Sequence, residues 1–196
     1  MRQFVVVGHD APRSPDFSLD DLPGAGRMDL LARSVTASLL LSHGLREDVR
    51  THLVLGDEFT VRFDSADLRN LHPDERSTAA LVRSALEQRE EAIGHVPVET
   101  SPGVFLTRMG LDATLAAHGD GATVCQLHED GQPKETAEAP ENPLFVLSDH
   151  TDFEGEIAEI VAAHADRQIS LGPRALHADH AITVAHNWLD VAESGK

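Results

Sequence analysis

Lysine is nearly missing from this 196-residue chain, cysteine occurs once, and no long apolar run interrupts it. Each scarcity excludes something. A single cysteine, Cys125, rules out an internal disulfide framework and fits a reducing, cytoplasmic setting. No stretch approaches the roughly 20 apolar residues of a membrane span, so no membrane segment is expected. The N-terminal Met1–Gly8 reads as a first strand, too short for a signal peptide. Neither Gly-x-Gly-x-x-Gly nor the phosphate-cradling Walker pattern is present, which argues against dinucleotide and triphosphate sites of those types. The Gly-x-Ser-x-Gly elbow is missing too, leaving Ser148 without a hydrolase role. Without His-Glu-x-x-His or a cysteine pair, His177, His180 and His186 are not expected to hold a metal, and His186 is assigned a structural role.

Acid is what the chain has in excess. Eighteen aspartates and fifteen glutamates face fourteen arginines and two lysines, a formal charge of −17. Such a surface suits strong salt, where charge repulsion is screened. The excess is uneven: residues 1–90 carry 11 arginines against 15 acids, while residues 91–196 carry five cations against 18. A polyanion would therefore meet the N-terminal half.

Strands and helices alternate along the chain. Apolar runs at Phe4–Gly8, Val49–Leu55, Phe59–Phe63, Val104–Thr107, Ala122–Leu127, Leu144–Leu147 and Gln168–Leu171 predict strands. Periodic segments predict helices near Arg27–Ser42, Pro73–Glu90, Leu111–His118, Phe153–His164 and His177–Val191. His128–Gly131 reads as a polar turn. The pattern predicts one α/β domain over residues 1–196, with a mostly parallel sheet flanked by helices.

Ligands of such folds gather at strand ends. Three loops qualify: Leu127–Gly131, Leu147–Thr151 and Leu171–Leu176. The last contains Gly172-Pro173, a shape signal that permits close approach of a ligand. In the long polar segment His9–Gly24 and just beyond it, Arg13, Arg27 and Arg33 are candidates for phosphate contact. Asp16 and Asp29 could orient a base. The apolar face of the last segment (Ile182, Ala185, Trp188, Leu189, with Ala178 and Ala181) reads either as core or as half of a dimer interface. Cys125, in an apolar strand, reads as an inert thiol.

With these stretches laid side by side, the chain resembles the archaeal tRNA pseudouridine-54 N1-methyltransferase family of the SPOUT class. The resemblance rests on "RSPDF" at 13–17, "DLPGAGRMDLLARSV" at 21–35, "LSHGLREDV" at 41–49 and "LHPDERSTAALVRSAL" at 71–86. It continues through "LHEDG" at 127–131, "ENPLFVLSDH" at 141–150 and "ISLGPRALHADHAITVAHNWLD" at 169–190.

The resemblance implies a C-terminal deep trefoil knot whose loops hold S-adenosylmethionine, a tRNA substrate, and a homodimer. It implies a cofactor site at Leu127, Ser148, Asp149, His150, Leu171, Gly172, Pro173, Leu176 and Ala181. Ala181 departs from the family, in which cysteine is common there, so a thiol at that position takes no part in this chain. For proton acceptance Asp16 is the first choice, with His180 and Asp149 as alternatives; Arg13, Arg27 and Arg33 would position substrate. Two other readings stand beside this one: a SPOUT enzyme acting on another RNA such as rRNA, and a non-catalytic dimeric RNA-binding protein.

Overall fold

The computed structural model describes residues 1–69 and 71–195. In chain order the elements are β1 (Arg2–Gly8), α1 (Met28–Leu39), the short hairpin β2 (Leu40–Leu41) and β3 (Gly44–Leu45), β4 (Val49–Leu55) and β5 (Phe59–Asp64). There follow α2 (Glu75–Glu87), β6 (Val98–Ser101), β7 (Val104–Thr107), α3 (Leu111–Gly119) and β8 (Thr123–Pro133). The chain closes with β9 (Pro143–Ser148), α4 (Gly155–His164), β10 (Arg167–Ser170) and α5 (Ala178–Ser194).

Eight strands form one sheet in the order β10-β8-β9-β1-β4-β5-β7-β6. The first five run parallel, and β5, β7 and β6 are antiparallel additions. The sheet is thus mixed, with its parallel part where the ligand loops were expected. β1 is central and carries Phe4–Val7 fully buried, because both of its faces are covered. Phe4 and Val6 point to one face, where α1, α2 and α5 pack; Val5 and Val7 point to the other, under α3 and α4.

Several boundaries differ from the sequence expectation. Helix α1 stops at Leu39 because Leu40-Leu41 turns into the β2–β3 hairpin. Helix α2 starts at Glu75, capped by the Asp74 carboxylate, which accepts from the Ser77 amide at 2.8 Å. Phe153 lies before α4, which begins at Gly155. The apolar face of α5 is core: Ile182 and Ala185 are fully buried and Leu189 nearly so.

The largest correction concerns His128–Gly131. It is no turn; β8 continues through it to Pro133. The neighbouring β10 pairs with β8 in two pieces, at Cys125 and Gln126 and again at Gln132 and Pro133, so residues 127–131 bulge out of the ladder. Gly131 makes this possible, since a Cβ there would stand 2.6–2.7 Å from the backbone of Gln168 and Ile169. Residues 134–142 then run back past β10. The Lys134 amide donates to the Ser170 carbonyl at 2.9 Å, the Arg167 guanidinium to that of Glu138 at 3.0 Å, and the Thr123 amide to that of Asn142 at 2.8 Å.

His186 has the structural role expected of it. Buried against Phe4, it donates from Nε2 to the Ser38 carbonyl at 3.0 Å while Nδ1 accepts from Arg2 at 3.1 Å. Burial, then the nearby Arg46 and Arg2, push its pKa down to about 3. Burial and then Arg62 and Arg50 push that of His118 down to about 4. The unfolded chain titrates its histidines near 6.5. Between these values the unfolded state binds protons that the folded state refuses, so stability falls as pH drops below about 6.5. Denaturant unfolding from pH 8 to 4 should show this decline. The variant His186→Asn should flatten it.

Candidate functional site

Two of the expected loops, Leu147–Thr151 and Leu171–Leu176, converge with the β8 bulge that stands where the third was expected. They enclose a cavity of about 410 Å³ beside the ends of β9 and β10 and the bulge of β8, closed on one side by the start of α5. Of the expected cofactor residues, Leu127, Ser148, Asp149, His150, Leu171, Gly172, Leu176 and Ala181 line it; Pro173 does not. The bulge in β8 is what brings Leu127, His128 and Glu129 to this wall. His177, at the helix start, lines the cavity where His180 does not.

Each loop is held by its own polar groups. Asp149 is buried and spends both carboxylate oxygens on backbone amides: Oδ1 accepts from His150 at 2.6 Å and Thr151 at 3.0 Å, and Oδ2 from His9 at 3.1 Å. It therefore shapes the β9–α4 loop and ties it to the end of β1. Ser148 donates to the Thr151 carbonyl and accepts from His9 Nε2 at 2.8 Å. His9 escaped the sequence reading; its position one residue past the end of β1 was the available signal. In the β10–α5 loop the Ser170 hydroxyl donates to the Gly172 carbonyl at 2.9 Å. A Cβ on Gly172 would meet nothing within 4 Å, so this glycine leaves open space at the cavity wall.

A second polar cluster joins α1, α2 and α5. Arg27, at the left-handed N-cap of α1, grips Asp29 with two bonds of 3.0 and 3.1 Å. Arg33 donates to Asp29 at 3.1 Å, Glu75 at 3.0 Å and Asp179 at 3.1 Å. Burial raises the Asp29 pKa, but hydrogen bonds from Arg27 and Arg33 more than offset it, so the carboxyl stays below its ordinary value. Asp179, adjacent to the cavity-lining Ala178, is buried, and its Oδ1 has no hydrogen-bond partner. An orphaned carboxylate oxygen in that position is unusual. Its neighbour His180 is exposed, with Nε2 3.9 Å from Asp179 Oδ2.

The remaining expected residues stand outside the cavity lining. Arg13 is exposed and 3.6 Å from Glu58; Asp16 is exposed and accepts from Ser14 at 3.1 Å. Arg27 and Arg33 are committed to the carboxylates just described. Cys125 is buried, and burial pushes its pKa up to about 11, as an inert thiol requires. Among the described residues no group of three or more His, Cys, Asp or Glu could hold a metal ion. Among them also, no helix is long and apolar enough to cross a membrane.

A mixed, mainly parallel sheet with this strand-end cavity is the α/β architecture of the SPOUT class. The chain shares its fold with the crystal structure of Archaeoglobus fulgidus Nep1 bound to S-adenosylhomocysteine, at a TM-score of 0.68 over 98% of each chain. Sequence identity is 13%, so that likeness is one of fold. Residues 1–194 match the family described as "Putative SAM-dependent RNA methyltransferase", and the chain belongs to it. It is 65% identical over 193 residues to the tRNA (pseudouridine(54)-N(1))-methyltransferase of Haloferax volcanii, covering 98% of both chains. It is 64% identical to that of Haloarcula marismortui, again over 98% of both. With that of Methanococcoides burtonii it shares 42% identity over 100% of this chain and 99% of the relative.

Proposed function

We propose that this protein, as a single domain, transfers a methyl group from S-adenosylmethionine to N1 of pseudouridine 54 in tRNA. One observation carries the reading: 65% and 64% identity, over 98% of the chain, to relatives named for this reaction, in a chain whose strand-end loops close on a ligand-sized cavity. The cavity fits the cofactor's chemistry. Leu127, Leu147, Leu171 and Leu176 supply apolar surface for an adenine, and the small Ala181 leaves room where α5 begins. When bound, S-adenosylmethionine supplies a methyl group on a positively charged sulfonium.

Pseudouridine, joined to its ribose through carbon, keeps an N1–H that uridine lacks, and this proton must leave as N1 is methylated. Of the acceptors named from sequence, Asp149 has both oxygens occupied, Asp16 is exposed off the cavity, and His180 points to solvent. Asp179, next to the cavity-lining Ala178 though not itself in the lining, has a desolvated oxygen with no partner among the described residues, and Arg33 holds the other. We assign proton acceptance to Asp179 and its orientation to Arg33.

The C-terminal segment would be threaded as a deep trefoil knot, a reading supported by the hydrogen bonds that carry residues 134–142 past β10. A homodimer would use the outer side of α5, where Val184 and Trp188 are part-exposed and Val191 is 64% exposed. A reducing cytoplasm is the matching compartment for the lone, buried Cys125. The reading is tested by offering labelled cofactor with purified tRNA and ribosomal RNA separately. Label in tRNA supports it; label in ribosomal RNA alone transfers the assignment to another SPOUT substrate.

A further inference from the structure

On the sheet face away from α1, α2 and α5, helix α3 packs over Val54 of β4 and Thr60 of β5 and ends at Gly119, with His118 beside His52. Register places His52, Arg62, Phe105 and Glu99 in one row across these strands, with Arg50 and Asp64 paired in the next. Arg50 is committed to Asp64 at 2.6 Å. Among the described residues Arg62 has no hydrogen-bonded oxygen. Its Nε is buried without a hydrogen-bond partner, and its guanidinium lies 4.4 Å from the centre of the Phe105 ring.

Two histidines border this cation. The rings of His52 and His118 lie 4.3 Å apart, tilted by 42°. His52 is fully buried, donates from Nε2 to Gln3 at 3.2 Å, and has an unpartnered Nδ1. Gln3 in turn donates to the His118 carbonyl at 3.2 Å, which fixes the amide and hence the His52 tautomer. So one small region contains, among the described residues, a half-buried guanidinium with no hydrogen-bonded carboxylate and only the Arg50-bound Asp64 as nearby negative charge. In a chain of charge −17, Arg2, Arg27, Arg33, Arg46 and Arg50 all pair with carboxylates. Leaving Arg62 without one costs desolvation energy that a bound anion would recover.

We propose that Arg62, together with His118, forms a phosphate-binding site on this sheet face, separate from the strand-end cavity, with the buried His52 ring packed behind them. A tetrahedral phosphate matches the planar fork of Arg62, which takes two oxygens at once. Phe105 holds the guanidinium flat for that contact. The phosphate belongs either to an RNA backbone or to free phosphate, and the site does not depend on the reaction assigned above.

The test begins with the wild-type protein. Imidazole NMR signals of His118 and His52 are followed while phosphate replaces chloride at constant ionic strength. Saturable shifts at millimolar phosphate are expected; signals that stay still overturn the proposal. Arg62→Gln should weaken phosphate binding tenfold or more, with Arg62→Lys intermediate and the exposed Arg76→Gln unchanged. The same variants are then compared for tRNA affinity against salt. A slope reduced by about one in Arg62→Gln assigns the site to an RNA phosphodiester. An unchanged slope with lost phosphate binding assigns it to free phosphate. Equal phosphate binding by wild type and Arg62→Gln rejects the site.

Discussion

Asp179→Asn should lower the methyl-transfer rate by about a hundredfold or more while leaving cofactor affinity and stability near wild type. The substitution conserves shape, and the amide oxygen can still accept from Arg33, now at 3.1 Å from Asp179 Oδ2. What disappears is the capacity to take a proton at the oxygen that has no partner. A purely structural Asp179 would show the opposite pattern, with stability lost and the rate per folded molecule kept. Full activity in Asp179→Asn would return the role to Asp16 or His180.

The second large effect falls on folding. Gly131→Ala should destabilise the protein by roughly 3 kcal/mol and weaken cofactor binding with it. The new methyl would sit 2.6 Å from the Ile169 carbonyl carbon and 2.7 Å from that of Gln168, and backbone cannot swing aside as a side-chain tip can. Either β10 shifts away from β8 or the bulge at 127–131 reopens. Both movements displace Leu127 and Leu171 from the cavity. Gly172→Ala is the contrasting variant. With nothing within 4 Å of its Cβ, it should leave stability unchanged, as thermal unfolding would show, and reduce cofactor affinity alone.

How far the residues announce this arrangement depends on what each segment buries. Strands β1, β4 and β9 are legible because burial on both faces demands continuous apolar runs, and Val5–Val7 and Leu144–Leu147 have them. The cavity loops after β9 and β10 are legible because they follow strands of the parallel part of the sheet. The C-terminal half of β8 is not, since His128-Glu129-Asp130-Gly131 has the composition of a turn; the pairing that extends it comes from β10, far along the chain. Strand β6 is a short, part-exposed edge whose Val98–Ser101 has no apolar alternation to mark it. Asp179 and His9 show the same limit at the level of chemistry. Nothing local distinguishes Asp179 from Asp16. Its significance arises when α1 and α5 pack and Arg33 takes only one of its oxygens.

If N1 of pseudouridine 54 accepts the methyl group, the base at position 54 decides whether transfer occurs. Two matched tRNAs, one carrying uridine and the other pseudouridine at position 54, are incubated with the protein and labelled S-adenosylmethionine in molar KCl, and the product is digested to nucleosides. Transfer to the pseudouridine form alone, with the label in N1-methylpseudouridine, is the predicted result. Equal transfer to both forms, or none to either while cofactor binding is intact, would contradict it.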